Sequence, residues 1–207
     1  MIPLLPARVC LMAGLLGLGY AGYVAIDIQA YQAIEHRRLE RARSDPSSST
    51  QTIADGGVIG EIQIPRLGLR AIVAQGNSPA ILQRAVGHLT GTALPGAPGN
   101  VVLAGHRDTF FRPLNRVRAG DAITLKTRTD DFEYLVEWAA VVRPTDLEVI
   151  QPTNERSLTL ITCFPFGYVG PAPNRFIVHA HPIYRVGVHD EVIVNVDGGG
   201  IRLIGGR

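Results

Sequence analysis

Cysteine is scarce in this chain. It has two among 207 residues, and one of them, Cys10, belongs to an apolar N-terminal run and reads there as a small apolar side chain. Cys163 is then the one thiol in the remainder, which excludes a disulfide within that part. Lysine is scarcer still: among 20 Lys and Arg residues, Lys126 is the single lysine. The net charge of +2 is small, and no Lys/Arg run sits beside aromatic residues, which argues against nucleic-acid binding. No internal repeat is visible.

What the chain does have is a stretch without charged side chains, Val9 to Ile26, rich in Leu, Gly and Ala. As a helix, its roughly 18 residues span about 27 Å, enough to cross the hydrocarbon core of a bilayer. Ile2, Leu4 and Leu5 extend the run if Arg8 snorkels. A cleavable signal peptide is the alternative. The apolar run continues past the weak small-residue sites around Gly19–Gly22 to Ile26, which favours an uncleaved anchor. Positive charge does not set the topology cleanly. Arg8 lies on the N-terminal side, whereas Arg37, Arg38, Arg41 and Arg43 lie beyond the span, the wrong balance for exporting the C-terminal domain.

Residues 27–55 read as a juxtamembrane helix and linker. Ile28, Tyr31, Ile34 and Leu39 stand near helical spacing, the arginines form a solvated helix face, and Ser44 to Thr50 has linker composition. Residues 56–207 read as one mostly-β domain. Val58, Gly60, Ile62 and Ile64 alternate with Ile59, Glu61 and Gln63. Ile123 and Leu125 alternate with Thr124 and Lys126. Phe132, Tyr134, Val136 and Trp138 alternate with Glu133, Leu135 and Glu137. A period of two marks strands with one buried face. Ser78-Pro79 predicts the start of a short helix, with Ser78 as its cap. The pattern gives a closed or sandwiched β domain with few short helices.

Three residue types with chemistry stand at apparent strand ends: Cys163 after Ser157–Thr162, His106 after Val101–Gly105, and Arg175 before Phe176–Val178. At one rim of a barrel they would supply a nucleophile, a proton-transfer group and donors for an oxyanion. Each also has a plainer reading, as a buried thiol, a loop histidine or a surface ion pair. Thr162 and His88 are candidates for substrate contact, the latter because it precedes a Gly/Pro-rich loop. Asp108 is too close to His106 in sequence to orient its ring easily and reads as loop-structuring. His36 and His189 read as solvated. His179 and His181 share a strand face with Arg175, and their spacing allows metal ligation, but no carboxylate or further cysteine joins them, so no metal site is assigned.

Thr159-Leu160-Ile161-Thr162-Cys163 resembles the TLxTC signature of the sortases, cysteine transpeptidases that attach proteins to bacterial cell envelopes. Gly105-His106-Arg107-Asp108 resembles their histidine region, and Asn174-Arg175-Phe176 the region of their essential arginine. Gly91 to Asn100, with Thr109-Phe110-Phe111 after the histidine, is most like class D sortases. The resemblance covers roughly residues 56–196.

The resemblance implies a closed eight-stranded β-barrel behind an N-terminal transmembrane helix, with residues 1–26 as anchor and 56–207 as the catalytic domain outside the cytoplasm. It implies Cys163, His106 and Arg175 as the catalytic set and no cofactor. The partners it implies are the membrane, proteins bearing a C-terminal LPxTG-like sorting signal, and an amine acceptor of the envelope. A hydrolase passing the acyl group to water would carry the same residues. L,D-transpeptidases hold their histidine and cysteine in one short segment, unlike this chain. A non-catalytic anchored β-domain would leave the thiol unreactive.

Overall fold

The computed structural model describes residues 4–44, 53–188, 191–196 and 200–203, and side chains within 8–44 and 53–183. A single helix, α1, runs from Leu4 to Ser44. There follow β1 (Val58–Ile64), β2 (Leu69–Gln75), α2 (Pro79–Arg84), β3 (Val86–His88), β4 (Asn100–Ala104), β5 (Ala122–Thr127), β6 (Asp131–Val142), β7 (Ser157–Phe164) and β8 (Asn174–Pro182). These eight strands form a closed barrel in the order β1-β2-β3-β4-β7-β8-β6-β5, with β5 returning to β1. Three further strands, β9 (Tyr184–Val188), β10 (Glu191–Val196) and β11 (Gly200–Leu203), make a separate antiparallel sheet that the sequence pattern does not reveal. The expected linker beyond Ser44 and His189 lie outside the described residues.

The period-two reading explains the core. Ile62 and Ile64, Val101 and Leu103, Ile123 and Leu125, Leu158 and Leu160, and Val178 and Ala180 all pack into one interior cluster. Burying each large apolar side chain there contributes about 1.5–3 kcal/mol relative to exposure. The short helix starts as expected: Ser78 caps it, its Oγ accepting from the Ile81 N–H, and Pro79 takes the first helical position.

Three alternation expectations are corrected. The register of β1 with β2 shifts between Val58 and Gly60, so Ile59 joins Ile62 and Ile64 in the interior while Val58 packs with Ile72, Ala74 and Ala85. Alternation puts Trp138 on the buried face with Tyr134 and Val136. The register between β6 and β8 shifts between Val136 and Trp138, and such a bulge re-aims the next side chain. Trp138 is exposed and stacks on His179, ring centroids 5.1 Å apart. Glu61, on the outer face of β1, is nonetheless 3% exposed. It is covered by α1, whose His36 Nδ1 lies 2.9 Å from its carboxylate, while Arg70 donates to it across 2.7 Å.

Helix α1 is therefore more than a tether. Its N-terminal part, long and apolar enough to cross a membrane, exposes Leu11, Leu15, Leu16, Leu18, Tyr23 and Ile26. Its C-terminal part lies against the barrel. Tyr31 packs on Ile72, Ala74 and Ala85. Gln32 donates to the Arg84 carbonyl (2.7 Å) and accepts from the Ile72 N–H (2.9 Å). Asp27 pairs with Arg84 and Arg43 with Asp131, each at 2.8 Å. Arg37, Arg38 and Arg41 are exposed, as a solvated face requires. Arg43 and His36 depart from that reading because they meet carboxylates on the barrel.

Candidate active site

Strand pairing brings the three strand-end residues together. β7 lies between β4, which runs parallel to it, and β8, which runs antiparallel. Cys163 and Arg175 are direct partners across β7 and β8. On the other side, Ala104 of β4 pairs with Ile161. Two residues beyond that pair, on chains running the same way, come His106 and Cys163. Neighbouring strands stand about 4.8 Å apart, so the thiol is flanked by the histidine segment and the arginine at one end of the barrel. Leu158, Leu160, Val178 and Ala180 fill the interior, so by strand alternation Cys163 and Arg175 belong to the outer face. Cys163 is free and half-buried, Arg175 half-buried and His106 exposed.

Local structure holds His106 at the strand end. Its carbonyl accepts from the N–H groups of Thr109 (3.4 Å) and Phe111 (3.1 Å), which folds the loop back. Phe111 is fully buried, and its ring lies where a side chain at residue 105 would be: a Cβ there would come within 2.8 Å of the ring. Glycine at 105 is what lets the phenylalanine close under the histidine segment.

Thr162 and His88, the candidates for substrate contact, are both buried. Thr162 is 2% exposed, and its hydroxyl donates to the Gly105 carbonyl across 2.7 Å. His88 is 1% exposed. Its Nδ1 is 3.0 Å from Gln75 Oε1, and its Nε2 lies 2.8 Å from the Ala93 carbonyl and 3.1 Å from Thr92 Oγ1. Burial pushes its pKa down, against the opposing effect of the Ala93 bond. Both side chains are buried and hydrogen-bonded within the framework.

The Arg175 guanidinium donates through one Nη to the carbonyls of Asn174 (3.0 Å) and Ala172 (3.3 Å). Asp108 is 71% exposed and its carboxylate lies 3.5 Å from Arg107 Nε, consistent with work in the loop. The sequence reading passes over Arg107 itself. It is buried and donates to three carbonyls of the segment joining β7 and β8; the only signal is its place directly after the histidine. His179 is occupied elsewhere: Thr159, four residues before the thiol, stands 3.2 Å from its Nδ1 and donates to Asn100. Among the described residues no three His, Cys, Asp or Glu side chains are grouped to hold a metal ion. A thiol, an imidazole and a guanidinium at the ends of three adjacent strands can together attack a carbonyl, move a proton and donate to the resulting oxyanion.

Comparison with known proteins agrees with this geometry. Residues 62–183 match the family model described as Sortase domain. The chain is 30% identical over 182 residues to Sortase D of Bacillus subtilis (strain 168), covering 81% of this chain and 92% of that protein. Among solved structures, a Clostridium perfringens Sortase D5 transpeptidase superposes with a TM-score of 0.62 at 28% identity, covering 75% of this chain and 98% of the other. Sortase A from Corynebacterium diphtheriae gives 0.59 at 30% identity, covering 66% and 65%. Barrel topology, matched residues and class D relatives agree: this chain belongs to the sortase family of cysteine transpeptidases.

Proposed function

We propose that this protein cleaves an LPxTG-like sorting signal through a thioester on Cys163 and transfers the released acyl group to an envelope amine. The observation that carries the reading is the direct pairing of Cys163 with Arg175 on β7 and β8, with the His106 segment on the other side of β7. The Cys163 thiolate attacks the peptide carbonyl carbon. Arg175 donates to the oxyanion, and its planar fork suits that task. The C–N bond breaks, and the leaving amine takes a proton from the His106 imidazolium. The acceptor amine then attacks the thioester, the C–S bond breaks, and the amine's proton passes to the neutral imidazole. One amide is exchanged for another, with no net proton change and no redox step. Thr162 and His88 serve by holding the loops around this set.

The apolar part of α1 anchors the protein as a single span, with the barrel on the extracytoplasmic side, where sorting signals and acceptor amines occur.

The test is mass spectrometry of the full chain in detergent, incubated with a set of LPxTG-like peptides. The expected result is a peptide acyl adduct on Cys163 that disappears faster when an amine is added, with a new amide as product. An adduct lost equally fast with and without amine would instead make the protein a hydrolase. No adduct, together with a thiol inert to mild alkylation, would leave an anchored β-domain without this chemistry.

A further inference from the structure

We propose that Arg107 is a positioning residue that latches the β7–β8 loop, residues 165–173, to the histidine segment and thereby shapes the cleft that receives the peptide; this rests on the transpeptidase reading above. Arg107 is 7% exposed. One Nη donates to the Pro165 carbonyl (3.0 Å), and the other donates to the carbonyls of Tyr168 (2.5 Å) and Gly170 (3.1 Å). Its guanidinium carbon lies 5.9 Å from the centre of the Tyr168 ring. The carboxylate beside it, Asp108, is largely exposed, so the buried charge is satisfied chiefly by the loop's own backbone.

That loop begins directly after β7, whose end carries Cys163, and returns at Arg175. Arg107 holds its first half, and Arg175 donates to the Ala172 and Asn174 carbonyls in its second. Gly170, at φ +107°, supplies a left-handed bend that side-chain-bearing residues rarely adopt. The latched loop presents Tyr168, half exposed, and Val169, 95% exposed, at its tip. An exposed apolar tip on the loop that leaves the cysteine strand is suited to contact with a bound peptide. Because both loop ends carry site residues, a released loop would move the Arg175 donors and the cleft wall together, while leaving the thiol open to small reagents.

A planar fork reaches several carbonyls at once; an ammonium keeps the charge but not that reach. The experiment compares full-length wild type, Arg107→Met and Arg107→Lys in detergent. Chymotrypsin cleavage after Tyr168 is followed by mass spectrometry, alongside iodoacetamide labelling of Cys163, and kcat and KM on an LPxTG-like peptide. Loss of the charged donors raises the open-loop population, so cleavage after Tyr168 rises at least about tenfold in Arg107→Met. kcat/KM falls at least about tenfold, with the larger part in KM, and iodoacetamide labelling stays within about threefold. Arg107→Lys falls between the two. If Arg107→Met does not unfold cooperatively, Arg107→Lys decides by the same readouts. Cleavage after Tyr168 at the wild-type rate would overturn the latch, and a KM unmoved in a variant with an opened loop would overturn its role in shaping the cleft. A wild type that turns over no peptide counts against the transpeptidase reading instead, while cleavage after Tyr168 still reads the latch.

Discussion

The Thr162 hydroxyl donates to the Gly105 carbonyl across 2.7 Å, tying the residue before the cysteine to the residue before the histidine. The Gly105 N–H reinforces the link by donating to the Ile161 carbonyl at 3.1 Å. Relative placement of thiol and imidazole thus depends on one buried side-chain bond and one ladder bond. Thr162→Val keeps the shape but strands a buried carbonyl, which costs about 1–3 kcal/mol. The expected outcome is a lower melting temperature and slower acylation of Cys163 by peptide. Thr162→Ser, which keeps the donor, should restore acylation in large part. A valine variant with native stability and acylation would show that the bond is dispensable.

Cys163→Ala is expected to abolish peptide cleavage with the fold intact, since the change removes one sulfur atom. Cys10→Ala should leave turnover unchanged, because Cys10 lies on the exposed apolar part of α1. Turnover by Cys163→Ala, measured by peptide chromatography, would end the cysteine mechanism.

Arg175→Ala is expected to lower kcat by at least about 10²–10³, the usual cost of losing one oxyanion donor. Iodoacetamide should still label Cys163. Arg175→Lys should recover only part of the rate, because an ammonium lacks the planar fork. Steady-state kinetics on both variants decide the role: an unchanged kcat with a raised KM would make Arg175 a peptide-binding residue.

Stability should fall on acidification in two steps. His88 and His179 lie below their usual 6.5, in both cases chiefly because burial disfavours the charged ring. Asp121 is held below its usual 3.8, first by the hydrogen bond from Arg66. Glu61 lies below its usual 4.5: burial, the largest single influence, pushes it up, but the bonds from Arg70 and Gln63 and the nearby charges of Arg70 and His36 outweigh it. All four are depressed, so the unfolded chain takes up protons at higher pH than the folded one. Their contributions are whole above the unfolded values and are lost as pH falls through the folded ones. Melting temperatures between pH 8 and pH 3 should therefore decline below about 6.5 and again below about 4.5. His88→Gln should flatten the first decline and Asp121→Asn the second. A melting temperature that rises between pH 7 and pH 5 would contradict the histidine assignment.

Sidedness is open to a direct measurement. Protease added to intact cells or spheroplasts, once any outer barrier is removed, should digest the barrel. Protection until lysis would place it in the cytoplasm, as the raw arginine count beyond the span suggests.

Local chemistry was legible in the sequence. Strand alternation from Gly60 to Ile64 of β1 and in β5, the Ser78-Pro79 helix start, the apolar span and the strand-end positions of Cys163, His106 and Arg175 each depend on residues within a few positions of one another. Their side-chain period and backbone preferences act at that range. The tertiary structure decided what depends on distant partners. The bulge that turns Trp138 outward arises where β6 meets β8. Glu61 is buried because α1 returns to cover β1. His88, which reads in sequence as a cleft residue, is enclosed by Gln75 and the loop at Thr92 and Ala93. Arg107 meets carbonyls about sixty residues away along the chain, from Pro165 to Gly170. A buried polar group must find a partner, and which one it finds depends on how the barrel closes and not on its sequence neighbours.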